Sequence, residues 1–527
     1  MMNLPLSIQE DYWEKFLVNE GDIEFIYNLL LESAVPLSSK EIAYKLINYR
    51  IQEEKEKLQK NRDNQGRIYL PKDLYEVGET IIFPMSAMQE GKVISIRDGF
   101  NPDYPDLKVI QVDFGSGRIK SFASRIENHS LNQIHSISDK DENLNPQKVK
   151  EKYGGELVKR LEKALEKYDD LVNIAGNWFP RSLLVDVSLG YLNLAEAVLE
   201  EADGGPISTE SLMKQVELTA NVDEKLLAFS FDLALQEDGR FDEVGPSGKT
   251  FWFLKRLEPK GVQETPIFLK YQPIDYSKED IAPFIDMFEG NLYDELENWD
   301  SSKEKRSKIT ISLSFPHYCS GTLPLSPTLK SMFPTAYEAP RIRFTFVDTK
   351  ANEKFPGWVV RPHNYIYGLK DWYTMHELMP GSLVMVEKGV NPGDINISYE
   401  KSRQNKEWLK TVLVGSDYGF VFAMLKHPIN ASFNERMAIA VPDVKAIEEL
   451  WNQKIYEKEP LEKTILHVMR ELAKLNSQGQ VHAQELYAAV NVFRRCPPGI
   501  ILYYLLNNKL VSHLGDLYFR INEKERD

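Results

Sequence analysis

The spacing of apolar residues changes along residues 188–259, from the three- to four-residue period of helices to the alternation of strands. Three helical stretches come first. The glycines of "ADGG" end the first stretch, and Ser208 offers an N-cap for the second. The third starts near Val222. The run "RFDEV", the turn "GPSG" and the run "KTFWFLKRL" then predict a two-stranded hairpin.

Three helices followed by a hairpin predict a winged helix-turn-helix for residues 188–259, with the hairpin as the wing. The elements "GGPISTESL" and "DGRFDEVGPSGKTFWFL" also resemble the HARE-type helix-turn-helix family, which includes the folded domain of the bacterial RNA polymerase delta subunit. The resemblance implies a module linked to transcription and to DNA-linked enzymes. It also implies that some such modules contact protein more than DNA.

Weak internal repetition predicts further modules of this kind. "AVPLSSKEIAYKLI" (34–47) and "GQVHAQELYAAVNVF" (479–493) repeat the order of "GGPISTESLMKQV". A helix and a wing-like pair around Gly515 follow the C-terminal copy, whereas "NQGRIYLP" is the only candidate remnant of a wing after the N-terminal copy. We predict a helix-turn-helix-like domain at 1–72 and a C-terminal winged helix at 446–527.

Residues 73–134 alternate apolar and polar positions between closely spaced turns, which predicts a small SH3-like barrel. The pattern "VGETIIFP…GKVISI" resembles the barrels of CarD-type proteins, and this implies binding to RNA polymerase. The alternative is a general interaction barrel. Four aromatic residues either fill its core or line an exposed groove: Phe83, Phe100, Tyr104 and Phe114. Strands are predicted at 79–83, 91–97, 107–114 and 117–122.

Residues 308–445 contain about seven predicted strands between Pro, Gly and Asn turns, as in a barrel or sandwich. Their layout resembles the DNA-binding pseudobarrel of plant-type transcription factors. A helical connector at 135–187 and a proline-punctuated linker at 260–307 separate the domains. The predicted fold class is α+β multidomain, with winged helix-turn-helix modules, an SH3-like barrel and a larger β-barrel or pseudobarrel.

The net charge of -15 counts against nucleic-acid binding by the surface as a whole, because neutralised phosphates supply most non-specific affinity. Contacts with nucleic acid are therefore expected only at local clusters of basic residues. The alternative for each cluster is that its residues are ordinary solvated surface charges. The candidates are Arg494, Arg495, Asn507, Asn508 and Lys509 at the C-terminus, Lys249, Lys255 and Arg256 in the central wing, Arg118 and Lys120 in the small barrel, and Arg341, Arg343 and Arg361 in the larger barrel.

Sequence motifs for catalysis are absent. The chain lacks phosphate-binding glycine loops, Gly-x-Ser-x-Gly and His-x-x-x-His. Asp348 precedes Glu353 and Lys354, but without the strand spacing of a metal-dependent nuclease. The two cysteines suit a reducing cytosol. We therefore expect a protein that is not an enzyme and has no cofactor and no metal.

No signal-peptide pattern and no apolar run of transmembrane length occur, so we expect a cytoplasmic bacterial protein without membrane contact. We predict a transcription- or nucleic-acid-associated binding protein whose partner is RNA polymerase, another nucleic-acid-associated protein or double-stranded DNA. Two alternatives remain open: a sequence-specific DNA-binding regulator, and the recognition subunit of a restriction or defence complex. The oligomeric state also remains open.

Overall fold

The computed structural model describes residues 11–65, 67–83, 89–102, 104–115, 118–132, 142–246, 248–288, 292–297, 307–336, 339–391 and 393–522. These residues form an α+β protein with six sheets. The chain divides into two compact units. Unit 1 comprises Met1–Asn173 and Asn177–Leu184, and unit 2 comprises Ile174–Gly176 and Val185–Asp527.

The first part of the chain, up to Pro180, alternates helices and short strands. Its elements are α1 (Glu20–Ser33), β1 (Leu37–Ser38), α2 (Ser39–Gln65), β2 (Arg67–Ile68), β3 (Thr80–Phe83), β4 (Gln89–Asp98), β5 (Lys108–Asp113), β6 (Ile119–Ser124), α3 (Pro146–Leu165), β7 (Leu171–Ile174) and β8 (Asn177–Pro180).

Helices α1, α2 and α3 and the β7–β8 hairpin form what we call the first repeat. Asn19 and Asp22 cap α1 reciprocally. The buried carboxylate of Asp22 also accepts from Arg50 of α2 at 2.8 Å. Strand β1 pairs with β8, so that Leu37 lies opposite Trp178. The hairpin at 171–180 thus follows the third helix of this repeat, inside the segment that the sequence predicts to be a connector.

The prediction that "NQGRIYLP" is a remnant of a wing is wrong. Arg67 and Ile68 pair with β3 in a five-stranded sheet of order β2-β3-β4-β5-β6, which lies in the chain between α2 and α3. The four strands predicted for this region are confirmed to within two residues. Phe83 is buried and Phe114 packs against it, whereas Phe100 is 92% exposed.

Unit 2 contains the remaining helices and strands. They are α4 (Leu189–Glu201), β9 (Ile207–Ser208), α5 (Thr209–Gln215), α6 (Glu224–Glu237), β10 (Phe241–Glu243), β11 (Phe251–Leu254), α7 (Lys260–Gln263), α8 (Ala282–Ile285), β12 (Lys308–Ser312), α9 (Phe315–Ser320), β13 (Thr322–Pro324), α10 (Pro327–Lys330), β14 (Arg341–Asp348), β15 (Glu353–Val360), β16 (Tyr365–Tyr367), α11 (Lys370–Met375), β17 (Leu383–Lys388), β18 (Asp394–Tyr399), β19 (Lys401–Val414), β20 (Phe420–Ala431), β21 (Ile439–Ala440), α12 (Val444–Asn452), α13 (Leu461–Ala473), β22 (Gln480–His482), α14 (Ala483–Phe493), α15 (Pro498–Asn507), β23 (Val511–Gly515) and β24 (Tyr518–Ile521).

The order of helices and strands in the first repeat recurs twice in unit 2. The second repeat runs from α4 to β11 and the third from α13 to β24. In all three sheets, β1-β8-β7, β10-β11-β9 and β22-β24-β23, the short strand before the second helix pairs with the second strand of the hairpin. For the second repeat the three helices, the Ser208 N-cap and the hairpin are confirmed as predicted.

The hairpin of the second repeat packs on a seven-stranded sheet of order β12-β17-β18-β14-β15-β16-β13. Phe253 meets Trp358 edge to face, with ring centroids 5.1 Å apart. The N–H of Arg343 donates to the carbonyl of Val244 at 2.9 Å. The face of this wing-like hairpin that contacts the sheet is therefore buried inside unit 2. The buried residues of the contact are Val244, Phe253, Val262, Leu269, Trp358, Val360 and Tyr365.

Residues 260–307, predicted as a linker, contain buried residues in their described part. Asp294 and Glu295 are both buried, and Arg495 of the third repeat donates to them at 2.7 and 2.9 Å. Glu295 also contacts His317 at 2.9 Å. The described residues of this segment are thus built into the core of unit 2 by buried ion pairs, which are costly to break on one side only.

Candidate nucleic-acid interface

Helix α3 has one buried face and one exposed face. Asn145 caps it, and its side chain accepts from the N–H groups of Gln147 and Lys148. The buried face consists of Val149, Gly154, Leu157, Leu161 and Leu165. The opposite face carries four exposed lysines, which we call the lysine row: Lys148, Lys152, Lys159 and Lys163.

The spacing of the lysine row places all four side chains on one face of the helix. Intervals of four, seven and four residues keep them within about 60° of arc and spread them over about 22 Å of helix. Gly155 lies on the same face between Lys152 and Lys159. A Cβ added there would meet no atom within 4 Å, so the centre of the row is open.

The lysine row is a local positive surface on an acidic chain. Helix α3 carries six Lys and Arg residues against three Glu. Lys148 contacts Glu142 at 2.6 Å, but both side chains are exposed and such a pair holds only weakly. A hydrogen bond with the phenol of Tyr153 raises the pKa of Lys152. Within the described part of the chain, no ion pair includes Lys159 or Lys163.

The matching helices of the other two repeats do not offer this surface. Helix α6 has three acidic residues and one lysine, and seven of its residues are buried. Helix α15 has no charged residue, and its first five residues are buried. The three repeats thus share their topology while their third helices differ: the first is basic and exposed, the second acidic and the third apolar.

The basic residues predicted in the five-stranded sheet lie at the surface of unit 1. Arg118 and Lys120 are both exposed, near the start of β6. The ammonium of Lys120 lies 6.0 Å from the ring of Phe114. These residues belong to the same compact unit as the lysine row.

The basic residues predicted for the wing of the second repeat are exposed, but one is neutralised locally. Lys249 and Lys255 are exposed. Arg256 contacts Glu200 at 3.0 Å, and this contact raises the pKa of its guanidinium. The hairpin itself packs on the seven-stranded sheet. The surface around Lys249, Lys255 and Arg256 that a partner could reach is therefore smaller than the sequence alone indicates.

The arginines predicted on the larger barrel are engaged inside unit 2. Arg341 donates to Asp242 of the second repeat and to the carbonyl of Val262. Arg343 lies 5.8 Å from the ring of Phe253, and burial lowers the pKa of its guanidinium. Arg361 donates to the carbonyl of Ala339 at 2.8 Å. The contacts of these three side chains are thus with other elements of unit 2.

The C-terminal candidates divide into engaged and exposed residues. Arg495 is 2% exposed and ion-paired with Asp294 and Glu295. Arg494 donates to the carbonyl of Glu459 at 2.8 Å, and the amide of Asn508 donates to Glu462 at 2.7 Å. Asn507 and Lys509 are exposed. The side-chain amide of Asn507 donates to the carbonyl of Tyr503 at 3.0 Å, so Lys509 is the one candidate of these five described residues whose side chain makes no hydrogen bond or ion pair.

Asp348, the carboxylate considered for nuclease chemistry, is fixed by its own turn and by two side chains. It accepts from the indole of Trp372 at 2.8 Å and lies 2.6 Å from Nε2 of His376. Lys354 contacts Asp394 instead, at 2.8 Å. In the part of the chain that the structure describes, no group of three or more His, Cys, Asp or Glu is placed to hold a metal ion.

The lysine row itself was not among the residues predicted from the sequence. Its signal is the four-seven-four spacing of lysines opposite Val149, Leu157 and Leu161 on a predicted amphipathic helix. That signal is readable only when the helix is assigned to a repeat. The helix was assigned to a connector, because the five-stranded sheet separates it from α1 and α2.

The comparisons with known proteins add no assignment. A scan against protein-family models, a search of curated proteins and a search of solved structures each found no match to this chain. Among the described helices, none combines the length and the hydrophobicity needed to span a bilayer.

Proposed function

We propose that this chain is a non-catalytic, nucleic-acid-associated binding protein that contacts the phosphate backbone of double-stranded DNA through α3. On this proposal the three repeats are winged-helix modules, the five-stranded sheet is an SH3-like barrel, and the seven-stranded sheet is part of a larger pseudobarrel. The protein acts in the bacterial cytoplasm. Its mechanism is binding.

The observation that supports this function is the lysine row on the third helix of the first repeat. In winged-helix modules the third helix is the one that enters the major groove, which is wide enough to admit an α-helix. Lysines along that helix neutralise phosphates and release counterions. Lys148, Lys152, Lys159 and Lys163 are exposed in that position, whereas α6 and α15 are largely buried there.

The test compares two full-length quadruple variants that change the net charge equally. One replaces Lys148, Lys152, Lys159 and Lys163 by Gln. The control replaces four exposed lysines of unit 2 by Gln: Lys388, Lys445, Lys458 and Lys463. Binding to a labelled duplex DNA is measured by fluorescence anisotropy. We expect the row variant to lose at least about tenfold in affinity and the control to change much less. Equal losses in both variants would refute the proposal.

A second candidate function is docking onto a protein such as RNA polymerase, and one observation favours it. Phe100 is 92% exposed in the loop between β4 and β5, where Tyr104 is 38% exposed. Aromatic side chains presented in this way are frequent anchors of protein interfaces. An exposed phenylalanine at a loop tip contributes little to folding, so a role in binding accounts for it better.

This second function is tested by capture from a nuclease-treated lysate with tagged full-length protein. The Phe100→Ser variant should lose RNA polymerase subunits that the unchanged protein retains. Val390→Ser is the matched control, since Val390 is 98% exposed in unit 2. If both variants retain the same partners, docking through Phe100 is excluded.

A further inference from the structure

Strands β19 and β20 form a long hairpin whose two faces have different environments. Phe420 and Phe422 on one face pack against the third repeat, and the ring of Phe420 lies 3.9 Å from that of Phe493. Val421 and Leu425 point to the opposite face, where they are 48% and 39% exposed. On that face Leu409 and Thr411 of β19, which lie opposite Leu425 and Ala423, are buried. The exposure of Val421 and Leu425 is therefore on the β20 side of the hairpin.

The outer edge of β20 has no neighbouring strand among the described residues. The sheet order is β20-β19-β21, which places β20 at the edge over Phe420–Ala431. Along "FVFAML", residues 420–425, there is no charged residue and no proline. Lys426 and Pro428 protect the second half of β20, whereas the first half is an exposed, apolar edge of the kind that pairs with another strand.

This edge is complementary to itself. If two copies of β20 pair antiparallel about a two-fold axis at Ala423, Val421 of each copy lies opposite Leu425 of the other, and all four side chains share one face. The charges nearest to the apolar run are Asp417 before it and Lys426 after it, both exposed. Antiparallel pairing brings the Lys426 end of each strand to the Asp417 end of the other, which favours it over parallel pairing.

We infer that β20 is a dimerisation edge, and that its partner is β20 of a second copy of this chain, paired antiparallel about Ala423. The inference is independent of the proposed function, since it uses no residue of α3. It also assigns a role to the apolar side chains exposed on the face of Val421, including Leu413, which lies across from Val421 in the register of β19 and β20.

Analytical ultracentrifugation over a range of concentrations tests the assembly. We expect a monomer–dimer equilibrium whose dissociation constant rises at least about tenfold in Val421→Lys and in Leu425→Lys. Val390→Lys adds the same charge at an exposed site elsewhere in unit 2 and should not change it. Circular dichroism checks that each variant remains folded.

Oxidative cross-linking tests the register. Ala423→Cys places the new thiols of the two copies opposite each other at the axis, so an intermolecular disulfide should form there. In Lys426→Cys the thiols are several residues out of register and should not react. The inference is overturned if the protein stays monomeric. It is also overturned if Val421→Lys leaves the dissociation constant of the dimer unchanged. The inference is also overturned if the protein is monomeric and binds a different protein through Val421 and Leu425. In that case the strand that pairs with β20 belongs to the other protein and not to a second copy.

Discussion

Arg341 and Asp242 form an ion pair of 2.5 Å that joins the seven-stranded sheet to the hairpin of the second repeat. The carboxyl of Glu258 lies 3.6 Å from the same guanidinium and is itself buried. Burial, and then the neighbouring Asp242 carboxylate, raise the pKa of Glu258 to about 8. At neutral pH the carboxyl of Glu258 is therefore protonated, and the charge that Arg341 balances at this contact is that of Asp242.

We expect Arg341→Ala to destabilise unit 2 by about 2–4 kcal/mol, because it leaves Asp242 without its counter-ion in a largely buried site. The free energy of unfolding in urea measures the change. In a protein that already carries Asp242→Asn, Arg341→Ala should lower the free energy of unfolding by clearly less, since no uncompensated charge is left behind. Equal costs in both backgrounds would mean that the ion pair does not hold the contact.

Asp232, in the second repeat, predicts a specific pH dependence. Its buried carboxyl accepts from the indole of Trp252 at 2.8 Å, and burial raises its pKa to about 7. Between pH 4 and 7 the folded state therefore keeps a proton that the unfolded state has lost. Stability from this group is highest below about pH 4 and falls as the pH rises towards 7, by at most about 4 kcal/mol.

Asp232→Asn removes this titration. Relative to the unchanged protein, the variant should gain stability as the pH is raised from 4 to 7, whatever its absolute stability. Chemical denaturation of both proteins at several pH values gives the difference. A difference that stays constant over this range would show that Asp232 is not protonated in the folded state.

Arg495 and Lys509, two candidates for nucleic-acid contact, should behave differently. Arg495→Met leaves the buried carboxylates of Asp294 and Glu295 without their main counter-charge, so we expect a loss of about 3–5 kcal/mol in unfolding free energy. Lys509→Met at an exposed position should change it by less than about 0.5 kcal/mol. Thermal and urea unfolding measure both, and similar effects of the two substitutions would contradict the placement of Arg495.

The second repeat was predictable because all of its elements are contiguous in sequence. The first repeat was predicted only in part, since the five-stranded sheet lies between α2 and α3, and its hairpin is far from its second helix. The two are brought together by β1 and β8, a pairing of only two residue pairs that leaves no pattern in the sequence.

The sequence predicted the type of residue at the candidate site but not its position in the chain. Basic residues on a third helix were the expected signal, and α3 carries it. Sequence reasoning selected Arg495 instead. The burial of Arg495 could not be predicted, because it depends on carboxylates 201 and 200 residues away. Local composition contains no trace of such a distant pairing, whereas the exposed row on α3 follows from helical periodicity alone once the helix is assigned to its repeat.

Gly155 provides a matched pair of substitutions within the lysine row. Gly155→Glu places a negative charge between Lys152 and Lys159, in open space, and should weaken binding to duplex DNA several-fold. Gly155→Ala adds no charge and should leave binding nearly unchanged, while stabilising the helix by about 1 kcal/mol. Anisotropy titrations measure the affinities. If the two variants bind alike, the centre of the row does not face the nucleic acid.

The salt dependence of DNA binding tests the central claim most directly. The logarithm of the binding constant is measured against the logarithm of salt concentration, for the unchanged protein and for the variant with Lys148, Lys152, Lys159 and Lys163 replaced by Gln. Each phosphate contact contributes about 0.9 to the slope, so loss of the row should reduce its magnitude by about 3–4. Identical slopes would show that the lysine row does not contact phosphates.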